Sequence, residues 1–204
     1  MVRLILTELK AHLPFTIIGA LTGICIMLLY SLFKMPATLS YTIFYTLHPI
    51  HVFLSALVTA SMYVLHVNGK NKLWLVILIG YFGAVGIATL SDCIIPYLGE
   101  VMLDLLNRGT HLGFIEEWWL VNPLAFLGIA IAYYNPTTKF PHAGHVLLST
   151  WASLFHILMA VGDTLTLFSY VVVLFFLFFS VWIPCCISDI VFPLLFVKET
   201  DSPQ

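Results

Sequence analysis

The chain has 204 residues, of which 61% are hydrophobic and only 9% are charged, and its formal net charge is -2. Soluble domains usually carry about 25% charged residues, so this composition excludes a water-soluble globule, a disordered tail and a protein that binds nucleic acid. The sequence therefore predicts an all-α polytopic membrane protein that is embedded in a lipid bilayer.

Apolar segments separated by polar or proline-containing breaks predict six transmembrane helices. The longest loop, from Gly99 to Glu117, follows the third segment, and its mixture of acidic and apolar residues at 100–106 predicts a short interfacial helix. The six segments cover residues 13–33, 41–66, 73–98, 118–134, 142–162 and 165–197.

Positively charged residues are distributed unequally between the two sides of such a bundle. Cytoplasmic loops are enriched in Lys and Arg, so we expect both termini in the cytoplasm, the third loop outside, and the protein in the cell (plasma) membrane. The side with the termini carries Arg3, Lys10, Lys70, Lys72, Lys139 and Lys198, and the other side carries Lys34 and Arg108.

Three short motifs recur in the same order in the two halves of the chain, which indicates a duplication. The pattern HxxHVxLS begins at His48 and at His142, SDxxxP begins at Ser91 and at Ser188, and a weaker E-x5-P-x4-G pattern begins at Glu8 and at Glu117.

Each half contains three predicted spans, and because three is odd the second half must enter the membrane from the opposite side. The predicted architecture is an inverted-topology 3+3 repeat, with repeat 1 at residues 1–100, an external connecting segment at 101–116 and repeat 2 at 117–204. Many secondary transporters are built from such repeats.

The duplicated motifs predict metal ligands, since residues i and i+3 of a helix share a face and can direct two imidazoles at one ion. Two histidines and two carboxylates suit Zn²⁺, Fe²⁺, Mn²⁺ or Co²⁺, whereas Mg²⁺ and Ca²⁺ prefer oxygen ligands. The predicted spans place an outer set at His48, His51, Asp92 and Glu117, and an inner set at Glu8, His142, His145 and Asp189. The two sets form either one site at the midplane or two separate stations.

Other polar residues have weaker patterns. SDxxxP is also typical of a helix that restarts after a kink. Buried cysteine is a common apolar filler, and we expect this role for Cys185 and Cys186, although thiolates also bind Zn²⁺ or Cu⁺. Candidates for a proton relay or another secondary role are Ser55, Ser149, His156 and Glu100.

These observations favour a secondary transporter or permease for a divalent transition-metal cation, coupled to protons, whose ligand is a metal ion or another small solute. A homo-oligomer is compatible with this arrangement. Two alternatives stay open. One is a membrane-embedded metal-dependent hydrolase that acts on a lipid or lipid-linked substrate, although no HExxH or GxSxG motif is present. The other is electron transfer through two b-type haems held by paired histidines.

Overall fold

The computed structural model describes residues 2–67, 72–162 and 165–197, and every regular element in these ranges is a helix. This confirms the all-α prediction. The helices are α1 (Val2–Leu32), α2 (Ala37–His66), α3 (Leu73–Met102), the short α4 (Gly113–Glu116), α5 (Trp118–Tyr134), α6 (Lys139–Ala160) and α7 (Leu167–Cys186), which continues through Ile187–Val191 and Phe192–Leu194.

Four helical segments are long and apolar enough to cross a membrane. The helices α5 and α6 contain apolar segments of 10–17 residues, Trp118–Tyr134 and Gly144–Ala160. At about 1.5 Å per residue, the 17 residues of α5 extend roughly 26 Å, close to the hydrocarbon thickness of about 30 Å. The four longer segments are Leu13–Leu32, Ala37–His66, Leu73–Met102 and Leu167–Cys185. The chain is an all-helical membrane protein.

The helices α2 and α6 form the central pair of the bundle. Helix α1 packs against α6 and α7, and α5 packs against α2 and α3. Two apolar clusters lie on the two sides of the pair, one mainly between α1, α6 and α7 and the other between α2, α3 and α5. The outer surface exposes large apolar side chains such as Phe82, Phe126 and Phe175, which suits contact with lipid.

Two glycines permit close helix contacts around the central pair. A Cβ atom on Gly19 of α1 would lie 2.8 Å from Oγ1 of Thr150 in α6. A Cβ atom on Gly128 of α5 would lie 2.5 Å from the carbonyl oxygen of Phe53 in α2 and 3.2 Å from Cβ of Ala56. The backbones therefore approach more closely than any larger residue permits, as is common where helices pack in membranes.

Both SDxxxP motifs lie in wide π-helical turns. These turns span Leu90–Ile94 and Ile187–Val191, and a proline stands at the second residue of the α-helical segment that follows each. Proline lacks the N–H that an α-helix needs, and a π-turn absorbs this defect without ending the helix. The motif therefore widens a continuous helix rather than restarting a broken one, and π-turns of this kind are frequent at functional sites.

The helix boundaries differ from the sequence prediction at two points that matter for the site. Helix α2 begins at Ala37 instead of residue 41, and α3 continues to Met102 instead of ending at residue 98. Glu100 is therefore a fully buried residue of α3, not part of an interfacial helix in the loop. The short helix of this loop occurs later, at Gly113–Glu116.

Candidate functional site

The carboxylate of Asp92 lies at the centre of a buried polar group. Its Oδ2 atom is 2.9 Å from Nδ1 of His48 and 2.6 Å from Nδ1 of His51. The two histidines are one turn apart on α2, so both rings reach the π-turn of α3 that carries Asp92. All three residues are at most 1% exposed.

Two serines hold the other oxygen of the same carboxylate. Oδ1 of Asp92 accepts hydrogen bonds of 2.7 Å from the hydroxyls of Ser91 and Ser149. Ser149 belongs to α6, and Ser153 on the same helix donates to the carbonyl oxygen of Ser91 at 3.0 Å. An ionised carboxylate accepts about four hydrogen bonds, so these contacts suit a charged Asp92 that joins α2, α3 and α6.

A second group of ligand types shares His51 with the first. The ring of His145 on α6 stacks on the ring of His51, with ring centroids 5.7 Å apart and an interplanar angle of 16°. Cys185 on α7 lies beside them, and one ligand atom from each of these three residues lies within 4.8 Å of the others. All three side chains are buried, so four helices contribute to the two groups together.

The structure brings together members of both predicted sets. His48, His51 and Asp92 of the outer set adjoin His145 of the inner set. The early start of α2 explains this, because it places His51 close to the middle of a 30-residue helix.

The remaining predicted ligands are not part of this arrangement as described. Glu117 is a partly exposed residue directly before α5, outside both groups of clustered ligands in the described part of the chain. The side chains of Glu8, His142 and Asp189 lie outside the described residues.

A separate buried acid and histidine pair lies further along α3 and α6. Nδ1 of His156 is 2.7 Å from Oε1 of Glu100, and both residues are fully buried. Nε2 of His156 is 3.2 Å from the carbonyl oxygen of Thr110, which can only accept, so Nε2 donates to it. One further proton must lie between Nδ1 and the Glu100 carboxyl group, which also accepts from the backbone N–H of Gly109 at 3.2 Å. The two side chains therefore share one hydrogen bond inside the bundle.

The ring of Phe44 separates the two polar groups. It stacks on His48 with centroids 5.3 Å apart and meets His156 edge-on at the same distance. Beyond His156, the ring of His111 lies 5.4 Å away edge-on, and its Nδ1 is 3.6 Å from the partly exposed carboxylate of Glu116. The polar side chains thus form a discontinuous series from the Asp92 group towards the loop that precedes α5.

The first residue of α4 closes the site at His48. A Cβ atom on Gly113 would lie 2.4 Å from Cδ2 and 2.7 Å from Nε2 of His48. The same Nε2 is buried and has no hydrogen-bond partner among the described residues. Buried polar atoms are usually satisfied, and an exception calls for an explanation such as a bound ion or water.

The contact with Gly113 gives a direct test of this geometry. In Gly113→Ala the new methyl group must displace the His48 ring from Asp92, so a metal ion held by this group, with Zn²⁺ as the probe, should bind roughly tenfold more weakly, as for other groups that position metal ligands. Isothermal titration calorimetry on the detergent-purified protein measures this. Gly86→Ala is the matched control, since a Cβ there meets nothing within 4 Å. Equal affinities for the two variants would contradict the proposed role of this contact.

Sequence reasoning missed three residues of the site. Ser91 belongs to the repeated SDxxxP motif, so the motif itself was a usable signal. Cys185 was expected to be apolar filler, and only the fold places it beside two histidines. No local pattern marked Gly113, because its importance comes from a contact with a residue 65 positions away.

The fold and the site together define an α-helical membrane protein with a buried centre of histidines and a carboxylate. Comparisons with protein-family models, curated proteins and solved structures found no match.

Proposed function

We propose that this protein is a secondary transporter or permease for a divalent transition-metal cation of the Zn²⁺, Fe²⁺, Mn²⁺ and Co²⁺ class, coupled to protons, in the plasma membrane. The observation that carries the proposal is the His48, His51 and Asp92 group, which is buried close to the middle of an apolar helix bundle. Ionisable residues inside a membrane are costly and usually functional.

The chemistry of the group supports a transition-metal ion as the transported substrate. Imidazole and carboxylate ligands suit this class of metals. With metal–ligand distances of about 2.0–2.2 Å, ligand atoms around a tetrahedral ion lie roughly 3.3–3.6 Å apart. The nitrogen and oxygen atoms of the group are now 2.6 and 2.9 Å apart, so side-chain movements of about 1 Å suffice to admit an ion.

Paired contacts across the bundle support six spans in an inverted 3+3 repeat. Oγ of Ser149 is 3.3 Å from Oγ of Ser91, and Oγ of Ser55 is 3.4 Å from Oγ of Ser188. In each pair, the serine of one HxxHVxLS motif meets the serine of the SDxxxP motif from the other half. A two-fold relation between the halves produces such reciprocal pairs, and alternating access by rocking of one unit against the other follows from this architecture.

The close glycine contacts have the same reciprocity. Gly19 packs on Thr150, and Gly128 packs on Ala56. In the alignment of the two HxxHVxLS motifs, Thr150 and Ala56 are equivalent positions. The repeat and the charge distribution together support cytoplasmic termini and an external loop between α3 and α5.

The pair of Glu100 and His156 supplies the proton site of the proposal. It holds one proton between two buried side chains, and Phe44 separates it from the metal group. In the proposed orientation it lies on the external side of the Asp92 group. A proton-binding pair of side chains therefore lies near an ion bound at His48, and no residue belongs to both the pair and the metal group.

Uptake into proteoliposomes tests the proposal. With a metal-sensitive dye inside and a pH gradient across the membrane, we expect uptake of Zn²⁺ or another ion of this class to exceed that of protein-free liposomes. His48→Ala/His51→Ala should lower the rate at least about tenfold, because it removes two of the three ligands. His66→Ala is the matched control, because His66 is an exposed residue at the end of the same helix and its ring bonds the carbonyl oxygen of Met62 in its own turn.

Two results would overturn the proposal. One is uptake no faster than in protein-free liposomes for all four metals in either direction of the pH gradient. The other is uptake by the double variant at the rate of the wild-type protein.

A further inference from the structure

The surroundings of Cys185 differ from those of Cys93, the other buried cysteine in the described part of the chain. Cys93 lies in an apolar cluster with Phe44 and Tyr45. Cys185 is only 1% exposed, and one ligand atom from each of Cys185, His51 and His145 lies within 4.8 Å of the others. Three helices, α7, α2 and α6, each supply one of these ligands.

The position of Cys185 follows from the local structure of α7. Cys185 is the second-last residue of α7, two positions before the π-turn Ile187–Val191 begins, and it directly follows Pro184. Cys185 thus lies three residues before the second SDxxxP motif, which begins at Ser188. Asp92 in α3 brings a carboxylate towards the central pair of helices, and Cys185 in α7 brings a sulfur.

We infer that His51, His145 and Cys185 form a second metal station next to the station of His48, His51 and Asp92, and that its sulfur ligand makes the protein prefer thiophilic ions such as Zn²⁺ over Mn²⁺. The inference deepens the proposed function and rests on it for the role in transport. The binding of metal at Cys185 is tested separately from transport.

His51 connects the two stations. Its Nδ1 faces Asp92 at 2.6 Å, and its ring stacks on His145. One imidazole belongs to both groups, so the two stations are directly adjacent. The stations differ in chemistry, with a hard carboxylate in one and a soft sulfur in the other.

The binding step at the second station balances without a redox partner. The S–H bond of Cys185 breaks, a bond forms between sulfur and Zn²⁺, and one proton leaves to solvent. The two histidines bind as neutral imidazoles. Thiolate ligands favour Zn²⁺ and similar ions, whereas Mn²⁺ and Mg²⁺ favour oxygen ligands, so this station discriminates between ions that the first station accepts together.

Cobalt spectroscopy on the full-length, detergent-purified protein tests the station. Co²⁺ bound to a thiolate gives a sulfur-to-metal charge-transfer band in the near ultraviolet, which histidine and carboxylate ligands do not give. We expect this band in the wild-type protein and in Cys93→Ala, and its loss in Cys185→Ser. The absence of the band in the wild-type protein, or its persistence in Cys185→Ser, would overturn the inference.

Size-exclusion chromatography and a second variant, Cys185→Ala, serve as controls for misfolding. Both variants remove the sulfur, but only serine keeps a polar group of similar size. A folded Cys185→Ala protein that lacks the band supports the station in the same way, even where the serine variant is unstable.

A competition assay in proteoliposomes separates this inference from the proposed function. We expect the ratio of Zn²⁺ uptake to Mn²⁺ uptake to fall about tenfold in Cys185→Ser. A charge-transfer band without any transport would support the station and overturn the proposed transport. Transport with an unchanged Zn²⁺ preference in Cys185→Ser would support the permease and overturn the role of Cys185 in selectivity.

Discussion

Replacing His51 with alanine should lower the affinity for Zn²⁺ by about 100-fold or more, a larger loss than for any other single histidine of the site. His51 is the residue that the two ligand groups share. Its removal takes one of three ligands from each group, and even groups outside the direct ligands typically contribute 10–100-fold to metal affinity. Elemental analysis and calorimetry of the purified variant measure the loss.

The comparison of His51→Ala with His48→Ala makes this prediction specific. His48 belongs to one group only, so its variant should retain binding at the group with His145 and Cys185. His66→Ala, at the exposed end of α2, controls for the loss of a histidine from the same helix. Equal metal content in His51→Ala and the wild-type protein would show that the histidines serve structure alone.

Removing the carboxyl group of Glu100 should destabilise the folded protein by about 3–5 kcal/mol, the usual cost of breaking a buried ion pair. Glu100 and His156 are both fully buried, and the Glu100 carboxyl group also accepts the backbone N–H of Gly109. Glu100→Ala therefore leaves Nδ1 of His156 and the backbone N–H of Gly109 without their hydrogen-bond partner. Chemical unfolding in detergent micelles, followed by circular dichroism, measures the change in the free energy of unfolding.

An exposed ion pair provides the matched control for Glu100→Ala. Arg108 bonds Asp104 at 3.0 Å, and the Asp104 side chain is 90% exposed, so Arg108→Ala should cost no more than about 1 kcal/mol. A double-mutant cycle with His156→Ala should give a coupling of about 0.5–3 kcal/mol, because either substitution alone already removes the contact between the two side chains. Strictly additive effects would contradict a direct interaction between Glu100 and His156.

Periodic and compositional signals predicted the membrane class and the helices, because long apolar stretches have few alternatives to a helix in lipid. The ends of the helices were harder to predict from the sequence. Helix α3 runs through Pro96 and past Gly99 to Met102, since π-turns absorb the proline, and no local residue pattern reveals such turns. The burial of Glu100 follows from this extension and was missed with it.

The candidate site was only partly predictable for a related reason. The spacing of His48 and His51 on one helix face is a local property, so the sequence was enough to pair them. The meeting of His51 with His145 and Cys185 depends on how α2 crosses α6 and α7. Such long-range contacts leave no trace in periodicity, which is why Cys185 was expected to be filler.

The packing of α1 and α5 means that a half of the sequence is not a half of the structure. Helix α1 lies against α6 and α7, and α5 lies against α2 and α3. Helix α1 therefore packs on helices from the C-terminal half of the chain, and α5 packs on helices from the N-terminal half. Cutting the chain in the loop before α4 would strip both fragments of a packing partner, so neither fragment is a self-sufficient folding unit. The stability of each half of the chain therefore depends on the other half.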